Sequence, residues 1–142
     1  MRLRLVMLGK TRRPELKALL EDYVERIGHH TPIEITEARD ESAALKRLDA
    51  ERNATVVLLD AAGKGLDSEM FAKWLGVHRD RGTRELIFLC GDADGFPEKL
   101  RQRAQQELSL GAMTFSHELA RVMLAEQLYR AMAILRGSPY PR

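Results

Sequence analysis

Apolar positions change their spacing several times along this chain, and each change marks a new element. Leu3, Leu5 and Met7 alternate with Arg2, Arg4 and Val6, the period of a strand. Pro14 then suits a first helical turn, and Leu16, Leu19, Leu20, Tyr23, Val24 and Ile27 form one helical stripe closed by Gly28. Residues 32–36 read as a second strand and residues 42–52 as a short helix carrying Leu45 and Leu48. The run from Ala54 to Leu59 is β-branched and apolar on both faces, as an interior parallel strand is. Asp67 can cap a helix whose core face is Phe71, Trp74 and Leu75. Leu86 to Cys90 is a second two-faced strand, and Pro97 opens a further helix. A short strand from Leu108 to Phe115 and a long helix from Leu119 to Arg136 follow, and the tail GSPYPR ends the chain.

Strands alternating with helices, the interior strands apolar on both faces, predict one α/β domain over residues 1–142: three layers around a mostly parallel sheet. The last helix has Leu119, Val122, Met123, Leu124, Leu128, Met132, Ile134 and Leu135 on more than one face. Either it lies wholly inside the domain or its second apolar face is covered by another copy of the protein; the second reading predicts a two-fold homodimer.

Composition narrows the class. With 142 residues, 44% apolar and 31% charged, the chain is that of an ordinary globular domain. Net charge is +2, but Arg2, Arg4, Lys10, Arg12 and Arg13 crowd the N-terminus, which fits either a phosphate-bearing partner or a solvated face. The single cysteine, Cys90, excludes an internal disulfide and fits a reducing compartment. No stretch reaches the roughly 20 apolar residues of a membrane span, and arginines interrupt the N-terminus too early for a secretory leader. A cytoplasmic protein without membrane contact is expected. His29, His30 and His78 lack metal-ligand spacing, so no metal is expected.

Ligands of parallel sheets bind at the carboxyl ends of the strands. Three segments qualify: Asp60–Lys64, Gly91–Gly95 and Ser116–His117. Gly9-Lys10-Thr11 is not a P-loop, because Arg4 stands where that motif needs a glycine. Asp92 and Asp94 would repel a polyphosphate by about 4 kcal/mol per unit-charge pair at ~4 Å and an effective dielectric of ~20. S-adenosylmethionine has no phosphate and is cationic at its sulfonium, so it suits such a turn; the same aspartates would equally favour the following helix N-terminus.

The stretch from Leu89 to Gly95 resembles the IGG-x-x-G loop of a family of small bacterial methyltransferases. The stretch from Leu108 to His117, the segment from Arg121 to Ala131 and the Pro139-Tyr140 tail resemble the same family. That family is the 23S rRNA pseudouridine N3-methyltransferases, the YbeA-like members of the knotted SPOUT superfamily. The similarity extends to Leu58-Leu59-Asp60 with Gly63-Lys64 and covers essentially the whole chain. It implies a C-terminal trefoil knot, an obligate homodimer with its active site at the subunit interface, and a pseudouridine substrate read in the assembled ribosome. It implies an S-adenosylmethionine pocket from Leu59, Gly91, Leu110, Gly111, Ala112, Met113, Thr114 and Phe115, with Asp60 and Lys64 as nearby candidates.

N3 of pseudouridine bears a proton that must leave as the methyl group arrives. His117, just beyond the cofactor segment, is the candidate base; the other reading is a structural histidine at the start of the helix. Arg121, one turn on, is a candidate for stabilising the developing anion or holding a phosphate, and Tyr140 and Arg142 for work at a neighbour's active site or on RNA. The chain departs from the family at two places: Pro141 follows Tyr140 where a histidine is common, and Asp92 replaces the second loop glycine. These departures motivate an alternative, a dimeric RNA- or ribosome-binding protein with weakened catalysis.

Overall fold

A computed structural model describes residues 1–140; Pro141 and Arg142, and with them the expectation placed on Arg142, lie outside the described residues. Five strands form one all-parallel sheet: β1 (Arg2–Leu8), β2 (Ile33–Ala38), β3 (Ala54–Gly65), β4 (Glu85–Cys90) and β5 (Gln106–Ser109). Their spatial order is β2-β1-β4-β3-β5. Five helices connect or follow them: α1 (Pro14–Gly28), α2 (Glu41–Asp49), α3 (Ser68–Asp80), α4 (Glu98–Arg101) and α5 (His117–Arg136).

The two-faced strands separate two cores. Leu3, Leu5, Met7, Val57, Leu86 and Phe88 meet apolar side chains of α1, α3 and α5 on one face. Val6, Leu8, Val56, Leu58, Ile87 and Leu89 meet α2 and α4 on the other. This is the expected three-layer architecture, with β4 buried along its whole length at the centre. Helix α5 packs against both α1 and α3, which accounts for much of its apolar surface without a second subunit. Leu119 and Ile134 nevertheless stay 38% and 39% exposed.

The N-terminal basic cluster is divided by the fold. Arg4 is buried on the α2 side of the sheet, its Nε donating to Glu85 Oε1 at 2.8 Å and its Nη1 to Glu34 Oε2. Arg2 starts β1 and Lys10 follows its end, so a seven-residue strand, about 23 Å long, separates them.

Two elements differ from the spacing-based expectation. Strand β3 does not end at Leu59: after an excursion it rejoins β5, where Leu59 and Lys64 both pair with Leu108. Gly63 permits this return, because a Cβ there would lie 2.7 Å from the Glu107 carbonyl carbon. Strand β5 is correspondingly Gln106–Ser109 rather than 108–115. Ser109 Oγ accepts the Gly111 amide at 3.1 Å and donates to the Gly111 carbonyl at 2.8 Å, which turns the backbone off the ladder and leaves 110–115 as a loop.

Candidate active site

Segments far apart in sequence converge at the carboxyl edge of the sheet around a cleft of about 440 Å³. Leu59, Asp60 and Ala61 come from the β3 bulge, Cys90 to Ala93, Gly95 and Phe96 from the turn after β4, and Ser109 to Gly111 and Met113 to Ser116 from the segment after β5. His117 and Ala120 close it from the first turn of α5. The lining includes Leu59, Gly91, Leu110, Gly111, Met113, Thr114 and Phe115; Ala112 and Lys64 are not part of it.

The turn after β4 is held by its own polar groups. Asp92 Oδ1 accepts the Asp94 amide at 2.8 Å, and the Asp92 carbonyl accepts the Gly95 amide at 3.1 Å. A Cβ on Gly91 would meet the Gly95 carbonyl oxygen at 2.9 Å and Phe96 Cε2 at 3.2 Å, so the fold of the turn itself demands glycine there. Cys90 at the strand end is 2% exposed. Burial pushes its thiol up to about 12, which makes it a packing residue and no nucleophile at neutral pH.

The charged groups on the wall are Asp60, Asp92 and Arg101. Arg101 Nη1 donates to Asp60 Oδ2 at 2.6 Å and to Glu107 Oε1 at 2.8 Å. The Arg101 hydrogen bond holds the Asp60 carboxyl below the usual carboxylate range. Arg101 is thus compensated twice over, and Asp92 remains without an ion pair among the described residues. Such a wall is poor for a polyphosphate and good for a cationic, phosphate-free ligand. Arg101 had no signal in the sequence, since its partner Asp60 is 41 residues away.

Helix α5 begins beside the cleft because Ser116 caps it, Oγ accepting the Leu119 amide at 3.3 Å. His117 is therefore fixed at the cleft wall, with Nε2 3.9 Å from Glu118 Oε2. Arg121 is not on the wall. It is completely buried, with Nη2 donating to the Leu8 carbonyl at 2.6 Å and Nη1 to Thr11 Oγ1 at 2.9 Å and the Gly9 carbonyl at 3.1 Å. Burial pulls its guanidinium below the usual arginine value. Glu118, which sequence reasoning missed, accepts the amides of Arg12 and Arg13, both at 3.0 Å.

Tyr140 does not reach the cleft of its own chain. Its ring stands edge-on to Tyr129, with centroids 4.7 Å apart, and its hydroxyl donates to Glu126 Oε2 at 3.1 Å. Burial, with hydrogen bonding to Tyr23 and the nearby Glu126, raises the phenol well above its ordinary value. Tyr129 lies twelve residues, about 18 Å of helix, beyond His117. Among the described residues no helix is long and apolar enough to cross a membrane, and no group of three or more His, Cys, Asp or Glu side chains is placed to hold a metal ion.

The sequence profile of a family described as "Predicted SPOUT methyltransferase" matches residues 1–141. The chain is 44% identical to "Ribosomal RNA large subunit methyltransferase H" of Trichlorobacter lovleyi, over 99% of both chains. It is 45% identical to the protein of the same name from Koribacter versatilis, over 99% of this chain and 97% of that one. Among solved structures, a probable methylase family protein from Haemophilus influenzae shares the fold, with a TM-score of 0.63 at 11% identity, covering 99% of this chain and 70% of that one.

Proposed function

The chain belongs to the SPOUT methyltransferase family, and from that premise we propose that it methylates large-subunit ribosomal RNA, at N3 of a pseudouridine, with S-adenosylmethionine as donor. The observation that carries this reading is the convergence of Leu59, Gly91 and Met113 on one cleft. Its residues fit the cofactor. The volume is within the ordinary range for small-ligand sites, about 300–1,000 Å³. Asp92, unmatched by a cation, favours a sulfonium and an ammonium, and the backbone of Gly91 and of 110–115 offers amides and carbonyls to an adenosine. Bound there, the cofactor supplies an electrophilic methyl group.

The chain's own residues then have three tasks. The cleft walls hold donor and base in line, which is most of what a displacement at carbon requires. His117 accepts the N3 proton, directly or through a water, as the nitrogen acquires its methyl group. Arg121 positions: it fixes the end of β1 against the helix that presents His117.

A homodimer completes the site. Leu119 and Met123 stand one turn apart on α5, and Met113, 75% exposed, projects beside the cleft, so an apolar surface borders the site. A partner's tail would bring Tyr140 to that cleft. Family membership also supports a threaded, trefoil-knotted path for the chain after Gly91. The deciding experiment is methyl transfer from radiolabelled S-adenosylmethionine to large-subunit ribosomes lacking the modification, with uridine or pseudouridine at the target. Transfer to pseudouridine alone is expected. Equal transfer to uridine removes the base specificity, and no transfer with ribosome binding intact would leave a binding protein.

A further inference from the structure

The loop from Gly9 to Arg13, between β1 and α1, has more structure than a five-residue connection needs. Glu118 accepts the amides of Arg12 and Arg13, Glu37 accepts the amide of Thr11 at 2.8 Å, and Arg121 takes the Gly9 carbonyl and the Thr11 hydroxyl. Three charged side chains from two other elements are thus occupied in fixing the loop's backbone. The side chains of Lys10 and Arg12 are left exposed, and neither forms an ion pair among the described residues. Arg13 is different: its guanidinium is paired with Glu15 at 2.9 Å. The carboxylates that contact this loop have other partners, Glu118 and Glu37 in backbone amides and Glu15 in the Arg13 guanidinium.

The loop is also tied to the cleft. Glu118 follows His117, which lines it, and Ala120, one residue before Arg121, lines it too. Two cations without an ion pair among the described residues, on a backbone held by Glu37, Glu118 and Arg121 beside a cleft that itself disfavours phosphate, divide the labour sensibly. The cleft takes the uncharged reacting base, and the lip takes the backbone that carries it.

We propose that Lys10 and Arg12 form a phosphate-holding lip for the RNA substrate, preorganised by Glu118 and Arg121. The proposal rests on the methyltransferase reading of the adjoining cleft. Phosphate contacts of this kind position the nucleic acid and carry no sequence information. Their energy comes from counterion release, with a salt slope of ~0.7 per phosphate on single strands and ~0.9 on duplex.

The test compares wild type with the Lys10→Ala/Arg12→Ala double variant. Both residues are exposed, so folding, checked by thermal midpoint, is expected to be unchanged. Binding is measured over a series of salt concentrations on deproteinised large-subunit rRNA and on ribosomes, alongside calorimetry with S-adenosylmethionine. The expected result is a slope of log affinity against log salt shallower by about 1.5, on both RNA and ribosomes, with cofactor affinity unaltered. An unchanged slope overturns the proposal. So does a loss confined to ribosomes, which would assign the lip to a ribosomal protein. Methyl transfer by the wild type separates this from the wider reading. Transfer without any effect of the variant sinks the lip alone, whereas a slope change without wild-type transfer keeps the lip and removes the enzyme.

Discussion

The guanidinium of Arg121 donates to the main-chain carbonyl of Leu8 at 2.6 Å, so the last helix closes the end of the first strand. Neither residue touches the cleft, yet both set its frame. Leu8 ends β1 next to the loop bearing Lys10 and Arg12, and Arg121 lies one turn from His117. A buried arginine with three such partners makes the fold of the two chain ends interdependent.

Replacing Arg121 by methionine is therefore expected to destabilise the protein by about 3 kcal/mol or more, because two carbonyls and a hydroxyl lose their donor in a dry site. Arg121→Lys should recover only part of this, since one ammonium cannot reproduce the planar fork. Urea denaturation checks both. A variant of native stability that had lost only methyl transfer would place Arg121 in contact with substrate instead.

Glu118 gives the fold an acid limit. The amide of Arg13, and after it that of Arg12, holds its carboxyl below the usual carboxylate range. A folded-state value below the unfolded one, ~4.3 for glutamate, means stability that is present at neutral pH and is lost as pH falls through the folded value. The gap in thermal midpoint between wild type and Glu118→Gln should be constant from pH 7 to about 5 and shrink below about 4. A gap independent of pH down to 3 would show that the charge of Glu118 contributes nothing.

What the sequence discloses and what it hides follow from range. The strands and helices were legible because Leu3, Leu5 and Met7, or Phe71, Trp74 and Leu75, repeat at their element's own period. The cap at Asp67 was legible for the same local reason, and its Oδ1 does accept the Met70 amide, at 2.7 Å. The return of β3 to β5 was not, because it depends on Gly63 passing the Glu107 backbone, and a glycine's letter does not say what approaches it. The N-terminal cations looked alike on paper; only the sheet reveals that Arg4 is a buried partner of Glu85 while Lys10 meets solvent. For the site, neighbours in sequence such as Gly91 or Met113 were within reach of motif reasoning. Arg101 and Glu118 act through partners 41 and 105 or 106 residues away, and no local pattern announces them.

Gly91→Ala tests whether the turn after β4 shapes the cleft. The added methyl would stand 2.9 Å from the Gly95 carbonyl oxygen and 3.2 Å from the Gly95 carbonyl carbon. Backbone must shift, at about 1–3 kcal/mol. Since this turn forms one wall, S-adenosylmethionine affinity should fall tenfold or more, measured by calorimetry. Full affinity in a folded variant would move the cofactor elsewhere.

The apolar stripe of α5 makes the oligomeric state testable. Leu119 is partly exposed in the single chain, so Leu119→Lys should cost the monomer little. Within an interface it would bury an unpaired ammonium. Sedimentation velocity should give a dimer for wild type and mainly monomer for the variant, with methyl transfer lost in parallel. A wild-type monomer that transfers methyl groups at full rate would remove the partner from the site.

His117 carries the sharpest chemical expectation. It lines the cleft, and Ser116 as cap fixes the helix turn that presents it. A residue that removes the N3 proton should influence the reaction and not the binding of the donor. His117→Ala is expected to lower kcat by 10²–10⁴, the range for a positioned acid or base, with S-adenosylmethionine affinity within about twofold. A variant that lost cofactor binding and rate together would make His117 part of the wall and leave deprotonation to solvent.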